Sequence, residues 1–359
     1  MTGSNTEAAT EQSAKIYVTG KSSNGRGIFV ADLQNLAFIK IPSSLNPRRI
    51  SYDSKEMKIY WTDPSDKLVY RADMNGTNRE EVITPDDNDR SLYVKNILYF
   101  FNNGIFFKKN VFIDIHYTGK VTSITIAEQS RTLYIAHKHQ RKVTSVSIDN
   151  VEGNGPFPRN QTDFVTDLSS KPTSLEVDET EGFLYLAMGR FIKRKSLNGD
   201  NDVEDVYGSS SRITGISIDA SRNPPRIFFC DYKEDNISRS FYMDTATPFK
   251  GVNVTELTTH LHDLELRPEK WTDVAYFKGS IYWTSRDPTG IAVMNNYDQD
   301  DPSCNITVPG FRKLNRLLII DNQKSWPGSW PTGSNNGQTS LSQSYAYEGD
   351  STNSSSSDD

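Results

Sequence analysis

Four short stretches of the chain repeat a cation, one variable residue and a threonine. They are Lys120-Val121-Thr122, Lys171-Pro172-Thr173, Arg212-Ile213-Thr214 and Lys270-Trp271-Thr272. Lys313-Leu314-Asn315 keeps the cation and replaces the threonine. Positive charges brought to one place above a layer of hydroxyls bind anions by charge and by hydrogen bonding. Arg190, Arg286, Lys21, Arg26, Lys138 and Lys233 stand in loops expected on the same side, with His137, His139, Asn102, Asn103, Tyr232 and Asp287. The candidate ligand-binding set is therefore Lys120, Thr122, Lys171, Thr173, Arg212, Thr214, Lys270, Trp271, Thr272, Lys313, Asn315, Arg190 and Arg286. A cation at a strand opening also serves simply to solvate a loop, with the threonine capping the strand. Five cations of one sign at one structural position favour a ring, because chance would scatter the signs.

Other chemistry is poorly represented. The sequence contains no G-x-S-x-G elbow, no phosphate-binding P-loop and no H-E-x-x-H helix. His137/His139 and His260/His262 form two H-x-H pairs, which a strand could present on one face, yet neither has cysteine or regularly spaced carboxylate partners. Asp298-Gln299-Asp300-Asp301 lacks calcium-loop spacing and reads as a solvated turn. No catalytic residue, metal ligand or cofactor is assigned.

The elements that must carry the cations are strands. An aliphatic residue, an aromatic, an apolar or small residue and a small or polar one recur around Tyr17, Tyr60, Tyr99, Tyr134, Tyr185, Phe228 and Tyr282. Repeats of roughly 40–50 residues with aromatic and β-branched cores are the signature of propeller blades of four antiparallel strands. No long segment has helical periodicity, so the expected class is all-β. Seven motifs give seven blades, or six if one repeat is misread. In the second repeat the expected strands are Arg49 to Tyr52, Lys58 to Thr62, Leu68 to Ala72 and Glu80 to Ile83, with Asn75-Gly76 as the hairpin turn. The first repeat lacks an inner strand and the last is followed by a spare apolar one, Lys313 to Ile320. Pairing the two closes the ring and removes its open edges.

Expected boundaries are a disordered segment over 1–14, the propeller over 15–322, and a Trp/Pro segment with a Ser/Asp-rich disordered tail over 323–359. The formal net charge of −6 and the pI near 5.5 argue against coating nucleic acid by bulk charge. No apolar run is long enough to cross a bilayer as a helix, and the polar first residues do not form a signal peptide. The expectation is a secreted protein whose leader has been removed. Two cysteines, Cys230 and Cys304, exclude a disulfide-dense scaffold and leave one bridge open. Sequons at Asn75, Asn160, Asn236, Asn253 and Asn305 are candidate glycosylation sites, and Asn353 carries a sixth. Four of the six are expected in turns between third and fourth strands, at the end of the disk away from the cations.

The run Ile59-Tyr60-Trp61-Thr62-Asp63, Leu68 to Asp73 and Asn75-Gly76-Thr77-Asn78-Arg79 resembles the YWTD repeat of the low-density lipoprotein receptor family, and Ile281-Tyr282-Trp283-Thr284 is a second partial match. The resemblance implies a six-bladed extracellular propeller that binds protein ligands, with Asp63 and Asp231 as inter-blade hydrogen-bonding posts. Cysteine-rich growth-factor-like modules that flank the family's propellers are missing from this sequence.

Three functions remain open at this level. The first is a non-enzymatic module recognising an acidic protein, a glycan or a small anion on the cationic mouth. The second places a small molecule inside the channel, bonded to Thr122, Thr173, Thr214 and Thr272 and lined by Trp271 and Phe311. The third is a metal-dependent propeller hydrolase or lactonase.

Overall fold

The computed structural model describes residues 14–42, 44, 46–84, 90–93, 101–102, 105–106, 114–117, 121–150, 155–199, 202–232, 238–245, 254–258, 270–286, 289–299, 302–307, 310–321 and 344–346. These residues form six antiparallel blades and, among them, no α-helix. Blade 1 consists of Lys313–Ile320, Lys15–Ser22, Gly25–Asp32 and Asn35–Lys40, written from the axis outward. Blade 2 is Ile50–Asp53, Lys58–Asp63, Leu68–Asp73 and Glu80–Glu81. Blade 3 is Val121–Ala127, Thr132–His137, Lys142–Ser147 and Thr162–Val165, and blade 4 is Pro172–Asp178, Phe183–Met188, Phe191–Ser196 and Glu204–Gly208. Blade 5 is Arg212–Asp219, Arg226–Tyr232, Ser238–Asp244 and Thr255–Glu256. Blade 6 is Trp271–Phe277, Ser280–Arg286, Thr289–Asn295 and Ser303–Thr307, extended by Ser344–Ala346 beyond its outer edge.

The ring closes as the repeat phase requires. Lys313–Ile320 pairs with Lys15–Ser22, Lys15 facing Ile320 and Lys21 facing Lys313, so the last strand supplies the first blade's missing inner strand. Every edge strand next to the axis then has a blade on either side.

The count of seven resolves to six. Among the described residues around the motif at Leu98 to Asn102, Phe101–Asn102 pairs only with Ile105–Phe106 and Arg90–Tyr93 only with Asp114–Tyr117, so they add no seventh four-stranded blade. Blade 2 packs directly on blade 3. The seam is closed by the blade 3 connection, where Arg159 N–H donates to the Val82 carbonyl (3.0 Å) and Thr84 N–H to the Arg159 carbonyl (3.2 Å). Tyr99, the motif's anchor, lies outside the described residues.

Second strands read as unbroken apolar runs because both faces of a blade are covered by neighbours. Ile59, Tyr60, Trp61, Thr62 and Asp63 are all buried, as are Ile281 to Ser285. Trp61 belongs to the cluster that joins blades 1, 2 and 3, and Trp283 to the packing between blades 5 and 6, where its indole N–H donates to Ser240 Oγ (2.8 Å). Asp63 accepts from the backbone N–H groups of Ser65 (2.9 Å) and Asn46 (3.1 Å), so it holds its own turn and the connection entering blade 2. Asp231 accepts from the Ser209 hydroxyl (2.7 Å), fixing the connection from blade 4 to blade 5. No disulfide joins Cys230 to Cys304, which sit in blades 5 and 6.

Candidate functional site at the channel mouth

In each inner strand the threonine of the cation-x-Thr pattern is a β-bulge. Val121 pairs with His137 and Ser123 with Ala136, leaving Thr122 outside the ladder. The same shift isolates Thr173, Thr214 and Thr272, and in blade 1 it isolates Asn315. A bulged residue keeps its main-chain groups free of the ladder and re-aims them. Each threonine hydroxyl lies near a second-strand carbonyl of its own blade, Ala136, Ala187, Cys230 or Thr284, at 3.1–3.3 Å. The next blade's carbonyl, of Pro172, Ile213, Trp271 or Leu314, lies at 3.0–3.5 Å. The hydroxyls thus staple adjacent blades.

The freed carbonyls point at the axis, where two arginines collect them. Arg49, which precedes the blade 2 inner strand, donates through Nε to Thr122 O (3.2 Å) and through Nη2 to Thr173 O. Arg316 of the closing strand donates through Nη2 to Thr214 O (2.8 Å) and through Nη1 to Thr272 O. Both reach Asp273 Oδ1, Arg49 at 3.3 Å and Arg316 at 2.5 Å, and Asp273 Oδ2 accepts from Leu317 N–H (3.2 Å). Gly215 makes room for this hub: a Cβ there would stand 2.7 Å from Asp273 Oδ1 and 3.2 Å from Arg316 Nη1.

Glu176 completes the channel interior and has no hydrogen-bond partner among the described residues. Burial, helped by the Asp273 charge, pushes its carboxyl up to about 8 against the opposing pull of Arg49 and Arg316. Burial also holds the Arg49 guanidinium well below its ordinary value, with the like charge of Arg316 adding to the effect and Asp273 opposing it.

Above the hub stands a crowd of cations. Burial and the positive charges of Arg316, Arg286 and Arg212 all lower the Arg48 guanidinium. Lys313 is lowered by burial and by Arg286, Arg26 and Arg48, and Arg286 by burial and Arg316. Among the described residues none of Arg48, Arg212, Arg286 and Lys313 forms an ion pair with a carboxylate. Arg212 and Lys313 open inner strands, Arg48 precedes one and Arg286 ends a second strand beside Lys270, so all four stand at the same end of the ring.

Of the residues singled out in the sequence, Lys171, Arg190, Arg212, Arg286 and Lys313 are exposed and Lys270 and Asn315 are half-buried. Lys120 lies outside the described residues, as do Asn103, Lys233, Asp287, His260 and His262. Trp271 is 2% exposed and packs against Trp283, inside the wall between blades 5 and 6 instead of lining the channel. Phe311 is likewise buried, edge-on to Phe29 and Phe38. His137 is buried beside Thr144 (2.9 Å) and Gln161 (3.0 Å), whereas His139 is exposed, so the pair does not share a face. Asn75 is 8% exposed, its amide oxygen accepting from the Thr77 hydroxyl (2.7 Å); Asn160 is exposed. Asn305 lies in the outer strand of blade 6 and not in a turn, while Asn236 and Asn253 lie outside the described residues.

Sequence reasoning missed Arg48, Arg49, Asp273, Glu176 and Arg316. Their signal was present: charged residues at or beside inner-strand openings that are otherwise apolar, and an Arg-Arg pair at the one opening that has neither the threonine nor the asparagine.

No protein-family model matches the chain. Among solved structures it is similar to a chain of a nidogen/laminin complex (13% identity, 86% of this chain and 98% of that chain, TM-score 0.56). It is also similar to TolB from Acinetobacter baumannii (10% identity, 86% and 67%, TM-score 0.59) and to Kuenenia stuttgartiensis hydrazine synthase (10% identity, 82% and 89%, TM-score 0.51). At these identities the likeness is one of fold.

Proposed function

We propose that the chain is an extracellular, non-enzymatic propeller of the YWTD type that captures an acidic or anionic partner on the cationic face around the channel mouth. The carrying observation is the convergence of Arg48, Arg212, Arg286 and Lys313, which repel one another and pair with no carboxylate among the described residues. Uncompensated charge around a concave opening concentrates counter-charged ligands and speeds their encounter. The hub beneath supports binding at the mouth over binding deep in the channel, since the threonine hydroxyls and Asp273 are already engaged. The motif-closing Asp63 and Asp231 act as posts between connections, as the YWTD resemblance implies, and a nidogen/laminin complex is among the similar structures.

The test is binding of poly-glutamate and of a heparin oligosaccharide across a salt series, comparing wild type with an Arg48/Arg212/Arg286/Lys313→Glu variant. Wild type should bind at low salt and lose at least about tenfold in affinity as salt screens the mouth, and the variant should not bind. Equal binding by both proteins would refute the proposal.

A further inference from the structure

Among the described residues the only exposed large apolar side chains are Ile39 and Phe191, and Phe191 is the more exposed at 42%. Phe191 opens the third strand of blade 4, after the turn Met188-Gly189-Arg190, on the mouth side of the disk. That turn is fixed to its surroundings on two sides. Gly189 O accepts from Ile213 N–H (2.8 Å), next to Arg212, and Arg190 O accepts from Ser209 N–H (2.8 Å). On the other side Gly189, at φ +60°, is so close to the connection entering blade 4 that a Cβ would stand 3.0 Å from Ser170 Oγ, next to Lys171. The turn that carries the exposed ring therefore includes Arg190 and adjoins the openings that bear Lys171 and Arg212, three exposed cations none of which pairs with a carboxylate among the described residues. Lys193 Nζ lies 5.8 Å from the ring centroid and pairs with Asp205.

An aromatic and arginines on a rigid turn are what protein interfaces use as anchors: they present contact area at small entropic loss. A small anion has no apolar surface to cover the ring, and a sulfated glycan offers only sugar C–H faces crowded by charged groups, less than an apolar amino-acid side chain provides. Resting on the reading of the mouth as an anion-binding face, we propose that the blade 4 turn docks a protein segment in which an acidic residue adjoins an apolar one. The acid meets Lys171, Arg190 and Arg212, and the apolar side chain covers Phe191.

The experiment uses three probes on the full chain: a short peptide of alternating Glu and Gly with one central Leu, the same peptide with Leu→Ser, and a heparin oligosaccharide. Wild type should prefer the Leu peptide by about fivefold, the gain expected from covering part of one ring. Phe191→Ser should abolish that preference and leave heparin binding unchanged, with the thermal midpoint unaltered because the ring is already exposed. A preference that survives in Phe191→Ser, or wild type binding both peptides alike, overturns the docking proposal. Lys171→Glu/Arg212→Glu should weaken both peptides; if it does while the Leu preference is absent, the charge reading stands and this inference alone fails. No loss on charge reversal for any probe defeats both.

Discussion

Glu176 is a half-buried carboxyl with a second negative charge, Asp273, near. Its value rises from an ordinary 4.5 to about 8. Between those two points the folded chain holds a proton that the unfolded chain has released, so stability falls as pH rises through that window and is level on either side. Glu176→Gln should therefore match wild type at about pH 4 and melt higher than wild type at about pH 8, as read by thermal denaturation at both. A shift of equal size at both values would show that the carboxyl does not titrate there. Cys230 gives a second residue-scale prediction. Burial pushes its thiol up to about 12, only partly opposed by Thr214, so almost no thiolate exists at neutral pH. Native protein treated with iodoacetamide should carry no label at Cys230 by mass spectrometry, and label should appear on unfolding.

At the scale of the strand, the cation-x-Thr pattern was legible and its meaning was not. Alternation alone places the threonines along the channel, because it assigns side chains to faces and says nothing about where a ladder skips a residue. The bulge turns the threonine carbonyl to the axis and the hydroxyl to the next blade. Thr173→Val keeps the shape and removes the donor, which should destabilise by about 1 kcal/mol in urea denaturation; no change would mean that the staple contributes nothing. The same pattern discriminates blades from echoes of blades. Five openings with the cation, plus Arg48-Arg49-Ile50, make six, and the motif at Tyr99 has no such opening. An aromatic second-strand motif specifies a buried strand, which other hairpins also need. The bulged openings occur in five of the six inner strands, where the freed carbonyls meet at the axis.

Taken as a ring, the molecule is closed twice. The outer closure is the pairing of Lys313–Ile320 with Lys15–Ser22, foreseeable from the spare strand at one end and the missing one at the other. The inner closure could not be foreseen, because it joins residues from strands far apart in the chain: Arg49 and Arg316 between them bond the carbonyls of blades 3, 4, 5 and 6 and share Asp273. Removing one partner of a buried pair leaves an uncompensated charge and typically costs about 3–5 kcal/mol. Here each arginine backs up the other at Asp273, so Arg49→Met and Arg316→Met should each fall toward the lower end of that range. The double variant strands Asp273 with only the Leu317 N–H, and its loss of stability should exceed the sum of the single losses by about 1 kcal/mol or more. Urea denaturation of the four proteins closes the cycle. Losses that add to within about 0.5 kcal/mol would mean that the arginines do not share the carboxylate and that the hub is two independent clamps.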